Sequence, residues 1–196
     1  MKLNRKWINE EFVDLHEVSD KEFVETLTVF GQKVETWERM DAEIKNVVVG
    51  KVLSMVRHPN SDHMFICQVD VGQEAPVQIV TGAQNVHEGD LVPAALHNSW
   101  LPGGVHITKG KLRGEVSCGM LCSFAELGLT QNDVPGAYAD GIWILNDEDC
   151  KPGQDINTVM GTDDTVVDFE ITNNRPDCYS IIGLAREAAA AFDKPM

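Results

Sequence analysis

The chain has 196 residues and a formal net charge of −15, from 31 acidic side chains against 16 basic ones. Its 43% hydrophobic and 24% charged residues are those of an ordinary globular chain, and no window approaches the roughly eighteen uninterrupted apolar residues of a membrane span. The acidity argues against an indiscriminate grip on phosphates, because such binding depends on Lys and Arg displacing counterions; any nucleic-acid contact must come from a local basic patch, or from a surface whose neighbours supply the charge.

The basic residues Lys2, Arg5 and Lys6 have no apolar run behind them, since Asn9, Glu10, Glu11 and Asp14 follow. No export signal is predicted, and a cytoplasmic location is the expectation. The five cysteines are odd in number and scattered, so they are expected to be reduced thiols. The first forty residues read as a helical unit. Ser19 with Glu22 makes a capping box, Phe23, Leu27 and Phe30 recur at helical spacing, and Gly31 closes the helix before an extended stretch from Val34 to Met40.

From Val47 to Leu145 the pattern changes to short strands: Val47 to Val56, Phe65 to Val71, Val77 to Val80, Leu91 to Leu96, and Ile142 to Leu145. Several short strands with glycine and proline turns predict a small closed barrel or sandwich. Pro102-Gly103-Gly104 should form a turn needing positive φ, and Gly82 and Gly119 should allow a bulge or close backbone approach. After Cys150-Lys151-Pro152-Gly153, a strand around Val166 to Ile171 and a helix from Ile181 to Phe192 are predicted. The final segment resembles the first and not the middle. The expected organisation is therefore α+β, with residues 1–39 and 149–196 forming a split α/β unit and residues 40–148 a barrel inserted in it.

Gly50-Lys51-Val52, His58-Pro59-Asn60-Ser61-Asp62, Gln78 through Val86, Leu101-Pro102-Gly103-Gly104, Leu112-Arg113-Gly114 and Ser117 through Leu129 together resemble the tRNA-binding oligonucleotide-binding (OB-fold) barrel of several synthetases and free-standing cofactors. The signature Ser-x-Gly-Met-x-x-Ser-x-x-Glu-Leu is carried by Ser117, Gly119, Met120, Ser123, Glu126 and Leu127. A second stretch, Glu170 through Ser180 followed by Gly183-Leu184-Ala185-Arg186-Glu187, resembles the segment after the barrel in bacterial phenylalanyl-tRNA synthetase β subunits. The resemblance implies an N-terminal fragment of such a subunit, with tRNA, the α subunit and the rest of the β subunit as partners in an α2β2 assembly and no membrane. It also implies ATP and Mg2+ for the complete synthetase, with no cofactor, metal or catalytic residue in this segment. His63-Met64 stands where relatives often carry Lys-Leu.

The expected phosphate contacts are Lys109, Lys111 and Arg113, extended by Lys51, Arg57 and His58; solvated hairpin charges are the alternative. Phe65, Trp100 and Phe124 are the aromatic candidates for base stacking. Phe65 is expected in the core, and Trp100 in a loop. Residues 41–148 hold six basic and thirteen acidic side chains, so 6 − 13 leaves −7, and recognition through backbone and shape is the expected mode. The alternative is a structural or subunit-interaction module with little intrinsic tRNA affinity. Cys118 and Cys122 invite a zinc site, but no second close pair completes a tetrahedron and buried thiols are expected instead. Asp177 is expected to cap the last helix and Arg175 to pair with a carboxylate.

Overall fold

The structure, a computed structural model, describes residues 1–138, 140–145 and 150–196. The chain divides into two compact units, a discontinuous one of Met1–Ala42 with Asp163–Met196 and a continuous one of Glu43–Thr162. Both mix helix and strand. In chain order, β1 (Lys2–Asn4), α1 (Arg5–Glu11), α2 (Asp20–Val29) and β2 (Val34–Arg39) begin the discontinuous unit. The continuous unit follows with β3 (Lys45–Arg57), β4 (Phe65–Asp70), β5 (Val77–Thr81), β6 (Leu91–Leu101), β7 (Val105–Ile107), β8 (Gly110–Leu112), β9 (Glu115–Ser117), β10 (Gly119–Leu121) and α3 (Ile156–Met160). The chain returns to the first unit with β11 (Thr165–Phe169) and α4 (Ile181–Ala191). No helix among the described residues is long and apolar enough to cross a membrane.

In the discontinuous unit the first forty residues are more than helical, because β1 and β2 flank β11 in an antiparallel sheet of order β1-β11-β2. Leu3, Ile8, Phe23, Leu27, Val167, Phe169, Leu184 and Ala188 form one buried core with their neighbours. The helix starts follow local chemistry: Ser19 Oγ accepts from the Glu22 N–H at 3.2 Å, and Ser180 Oγ accepts from the Gly183 N–H at 3.1 Å. Ser180, and not the expected Asp177, therefore caps α4. Asp177 lies a turn earlier, in the 3-10 segment Pro176–Tyr179, and its backbone packs so close to α4 that a Cβ on Gly183 would lie 2.0 Å from the Asp177 carbonyl oxygen. Arg175 pairs with carboxylates as expected, Asp177 at 2.8 Å and Glu187 at 2.6 Å, and its hydrogen bonds, aided by its charge, hold the Asp177 carboxyl down at about 2.

Arg5 organises the polar side of this unit. Its side chain is buried and its guanidinium bonds the Asp20 carboxylate and the carbonyls of Leu15 and Val18, and lies 5.1 Å from the Phe23 ring centroid. One cation thus ties the start of α1, the turn before α2 and the first residue of α2. Burial alone would raise the Asp20 pKa, but hydrogen bonds from Thr165 and Arg5 and the charges of Arg5 and Arg39 hold it below the ordinary value.

The continuous unit is built on an antiparallel sheet of order β10-β6-β3-β4-β5, with β7 also on β6. The sheet curls until its ends meet: the Cys118 N–H donates to Gln78 O at 2.8 Å and the Val80 N–H to Ser117 Oγ at 3.0 Å. Side chains alternate across a strand, and where Val47–Gly50 of β3 pairs with Val92–Ala95 of β6 both faces are covered. Val52 and Ala94 belong to one apolar cluster with Val69, Ile79 and Leu121, while Val47, Val49 and Ala95 belong to another with Leu127 and Ile156. This explains the three consecutive valines, Val47 to Val49, of β3.

Residues 150–162 were expected with the discontinuous unit and pack in the continuous one; the expected boundary at 148/149 falls outside the described residues. The cause is pairing with β3: the Val49 N–H donates to Gln154 O and the Gly153 N–H to Val49 O, both at 2.8 Å, and Asn157 Nδ2 reaches Ile44 O at 3.2 Å. The predicted strand from Ile142 to Leu145 is no regular strand. Its N–H groups pair with different segments, Trp143 with Cys122 O at 3.1 Å and Leu145 with Leu91 O at 2.8 Å, so no ladder builds. Gly103 and Gly104 have φ of 76° and 75°, as the predicted turn needs. Gly119 is the close approach expected of it, since a Cβ there would sit 2.3 Å from Ala95 O, whereas Gly82 has open space.

Two outcomes follow from this packing. Gly119→Ala must push β10 off β6 and should lower stability by about 1–3 kcal/mol, read as a lower urea midpoint with unchanged m-value. Arg5→Met leaves Asp20 short of its main partner and should cost about 3 kcal/mol. Because the folded Asp20 pKa is depressed, its contribution is present above the ordinary carboxylate value and lost as pH falls through the folded one. Urea midpoints at pH 7, 5 and 3 should therefore fall less steeply for Asp20→Asn than for the wild type.

Candidate nucleic-acid interface

The basic segment Lys109 to Arg113 forms one side of a two-stranded hairpin, β8 with β9, in which Leu112 pairs with Glu115. Arg113 and Gly114 make the two-residue turn, with φ of 48° and 102°. Both residues being left-handed matches the twist of the strands, and glycine relieves the second position. Lys109, Lys111 and Arg113 are all exposed.

The hairpin tip is latched to the His58–Asp62 loop. His58 is 3% exposed; its Nε2 lies 3.0 Å from Leu112 O, and its Nδ1 accepts the Asn60 N–H at 3.0 Å. Asn60 Nδ2 donates to Arg113 O at 3.2 Å and Arg113 Nη1 to Asn60 O at 3.4 Å. His58 was expected to touch phosphate; with both ring nitrogens engaged and no exposed face, it is instead the pin that holds loop and hairpin together. Asn60, which sequence reasoning passed over, completes the latch. Its position after His-Pro was the available signal, because Asn side chains readily bond nearby backbone in turns.

Arg57 sits beside this latch. It is exposed, spends one Nη1 hydrogen bond on Asp62 O at 3.3 Å, and lies 5.6 Å from the Phe65 ring centroid. The structure therefore brings Arg57 and Arg113 to one latched loop cluster, with Lys111 on the hairpin itself. Lys51 is not part of it. Six residues earlier on β3, opposite Asp70 and Leu91, it lies roughly 20 Å away at about 3.3 Å per residue.

Trp100 is in β6 and not in a loop, yet it is 42% exposed and stacks on His106 of β7 with ring centroids 4.3 Å apart and an interplanar angle of 11°. The loop expectation failed because β6 continues through a bulge: Lys45 of β3 pairs with Trp100, but Val47 already pairs with Ala95. Asn98 in that bulge has φ of 66° and Ser99 Oγ bonds both Asn46 O and Leu96 O at 2.6 Å, closing the irregularity. Phe65 is half-buried against the core of the curled sheet and Phe124 is buried, so neither offers a ring face like that of Trp100. Cys122 is fully buried and its thiol is pushed up to about 12, chiefly by that burial. The only three-donor cluster among the described residues, Asp177, Cys178 and Glu187, surrounds Arg175, which already satisfies its carboxylates.

Comparison with known proteins places these features in a family. Residues 47–154 match the model of the family described as "Putative tRNA binding domain". The chain is 50% identical over 193 residues to a phenylalanine–tRNA ligase β subunit of Clostridium acetobutylicum, covering 98% of this chain and 24% of that protein. Those of Clostridium tetani and Shouchella clausii are 46% and 39% identical, over 98% and 100% of this chain. The chain spans about a quarter of the length of these relatives. It belongs to the tRNA binding domain family, and its likeness to phenylalanine–tRNA ligase β subunits runs through both of its units.

Proposed function

We propose that this chain is the N-terminal part of a bacterial phenylalanyl-tRNA synthetase β subunit, and that it supports charging of tRNA(Phe) by binding or positioning tRNA without performing chemistry. On this proposal the continuous unit is an OB-fold barrel inserted in a split α/β domain. The observation that carries it is the family match over residues 47–154, and the latched hairpin gives it a physical form. Arg57, Lys111 and Arg113 stand exposed around a loop cluster held rigid by His58 and Asn60, so cationic groups meet phosphate oxygens without first having to be ordered. Lys109 extends the same strand.

The complete synthetase is proposed to need ATP and Mg2+, to work in the cytoplasm, and to assemble with its α subunit as α2β2. None of that chemistry is assigned to residues 1–196. A second reading has a specific observation in its favour: six basic side chains against thirteen acidic ones between residues 41 and 148. Such a unit serves as a structural or subunit-contact module unless its few cations act together.

Titration of the folded chain with tRNA(Phe) at low and moderate salt separates the two. Each phosphate contact contributes about 0.7–0.9 to the slope of log K against log salt. The variant K109E/K111E/R113D, with Asp at the left-handed position because it tolerates that backbone, should lower the slope by about 2 and remove binding at moderate salt. If the wild type does not bind at low salt, the structural module is the better account.

A further inference from the structure

We propose that Trp100 and His106 form a stacking platform for one unpaired nucleobase of the bound RNA, a subsite separate from the phosphate contacts of the hairpin; the proposal rests on the tRNA-binding reading above. Trp100 is the exposed large apolar residue of β6: Ser99 and Leu101 on either side are buried, while the indole stands 42% exposed. An aromatic ring left this open on a strand forfeits burial that its neighbours obtain, and the fold holds it open by construction. The bulge that carries Asn98 at positive φ delivers Trp100 opposite Lys45 on one side and His106 on the other. His106 covers one indole face in a near-parallel stack at 4.3 Å. The stack fixes the ring, so a base arriving on the remaining open surface meets a preordered π surface.

The charge around this ring favours a nucleotide over a protein side chain. Lys45 is exposed beside Trp100 in the register. Lys109 is tied into the same place, because its backbone N–H donates to His97 Nδ1 at 3.0 Å. With Nδ1 accepting, the Nε2–H of the exposed His97 remains as a donor for a phosphate or 2′-hydroxyl oxygen. Lys109 is also the first residue of the basic run that continues to the hairpin tip. Five of the six basic side chains between residues 41 and 148, all but Lys51, thus belong to one connected path: Lys45 beside Trp100, then Lys109, Lys111, Arg113 and, through Asn60 and the loop, Arg57. In a segment with net −7, cations concentrated along one path with an open aromatic ring at its end are the pattern of a strand-tracking groove that ends on a base.

The test measures affinity of the folded chain for a labelled tRNA(Phe) transcript at two salt concentrations, with Trp100→Ala, Trp100→Leu and Trp100→Phe. One lost base stack predicts about a tenfold weaker complex for Trp100→Ala. Trp100→Leu, which keeps apolar volume on the strand and guards against a folding defect, should be weakened nearly as much, while Trp100→Phe stays within about threefold of the wild type. The salt slope should be unchanged in all three, since no charge is removed. Affinity unchanged in Trp100→Ala, or restored in Trp100→Leu, overturns the subsite and makes Trp100 a protein contact or a plain apolar one, with the hairpin function left standing. Failure of the wild type itself to bind tRNA overturns the functional reading, and the subsite with it.

Discussion

The covering of both faces where Val47–Gly50 of β3 pairs with Val92–Ala95 of β6 is the constraint on which the continuous unit rests. A sheet that is apolar on one face can lie open on its other side, but Val47 and Val49 point into one cluster while Val52 and Ala94 point into the other. The two central strands are therefore a shared wall, and the rest of the continuous unit has to wrap them. The curl of the sheet covers one face; Leu127, Leu145 and α3 cover the other. Close packing on both sides leaves no room at β10 for anything beyond a hydrogen at Gly119. With the wall fixed, the strand ends are fixed too, and the loops that carry polar function emerge from a rigid base.

Electrostatics is then a matter of placement. An acidic chain can still present a cationic edge if its few basic residues are gathered and its acidic ones spread, and the latch does the gathering. His58 is the clearest case of a polar residue whose value is positional: buried and bonded at both nitrogens, it sets where Arg113 and Asn60 lie. Trp100 is the complementary case, an apolar residue held out of the core by a bulge that the Ser99 hydroxyl closes on two backbone carbonyls.

Much of this was legible in the residues. The capping box at Ser19, the glycine turn after Pro102, the β-branched run of β3 and the basic hairpin are local signals, and local physics decides them. Other features depend on partners far away in the chain. Nothing near Lys2 announces β1, because a three-residue strand exists only by pairing with Val166, Val167 and Asp168. Residues 150–162 read as part of the split α/β unit until their hydrogen bonds to β3 are seen. Residue type alone groups His58 and Lys51 with the basic patch; burial removes the first from it and strand length the second. The turn residues after Trp100 suggest a loop, and only the register across β3 and β7 places it in a strand.

The sheet order β1-β11-β2 carries a consequence for how the protein is made. Its middle strand is the last to leave the ribosome: β2 ends roughly 125 residues before β11 begins, a wait of about 6 to 25 s at ordinary synthesis rates. The whole continuous unit emerges in that interval and can fold from its own contacts, while β2 has no partner on either side. An unpaired strand bearing Trp37 invites pairing with other chains. Glu35 and Glu38 flank that tryptophan within the strand, and their repulsion guards the nascent edge until residues 165–169 arrive to occupy it.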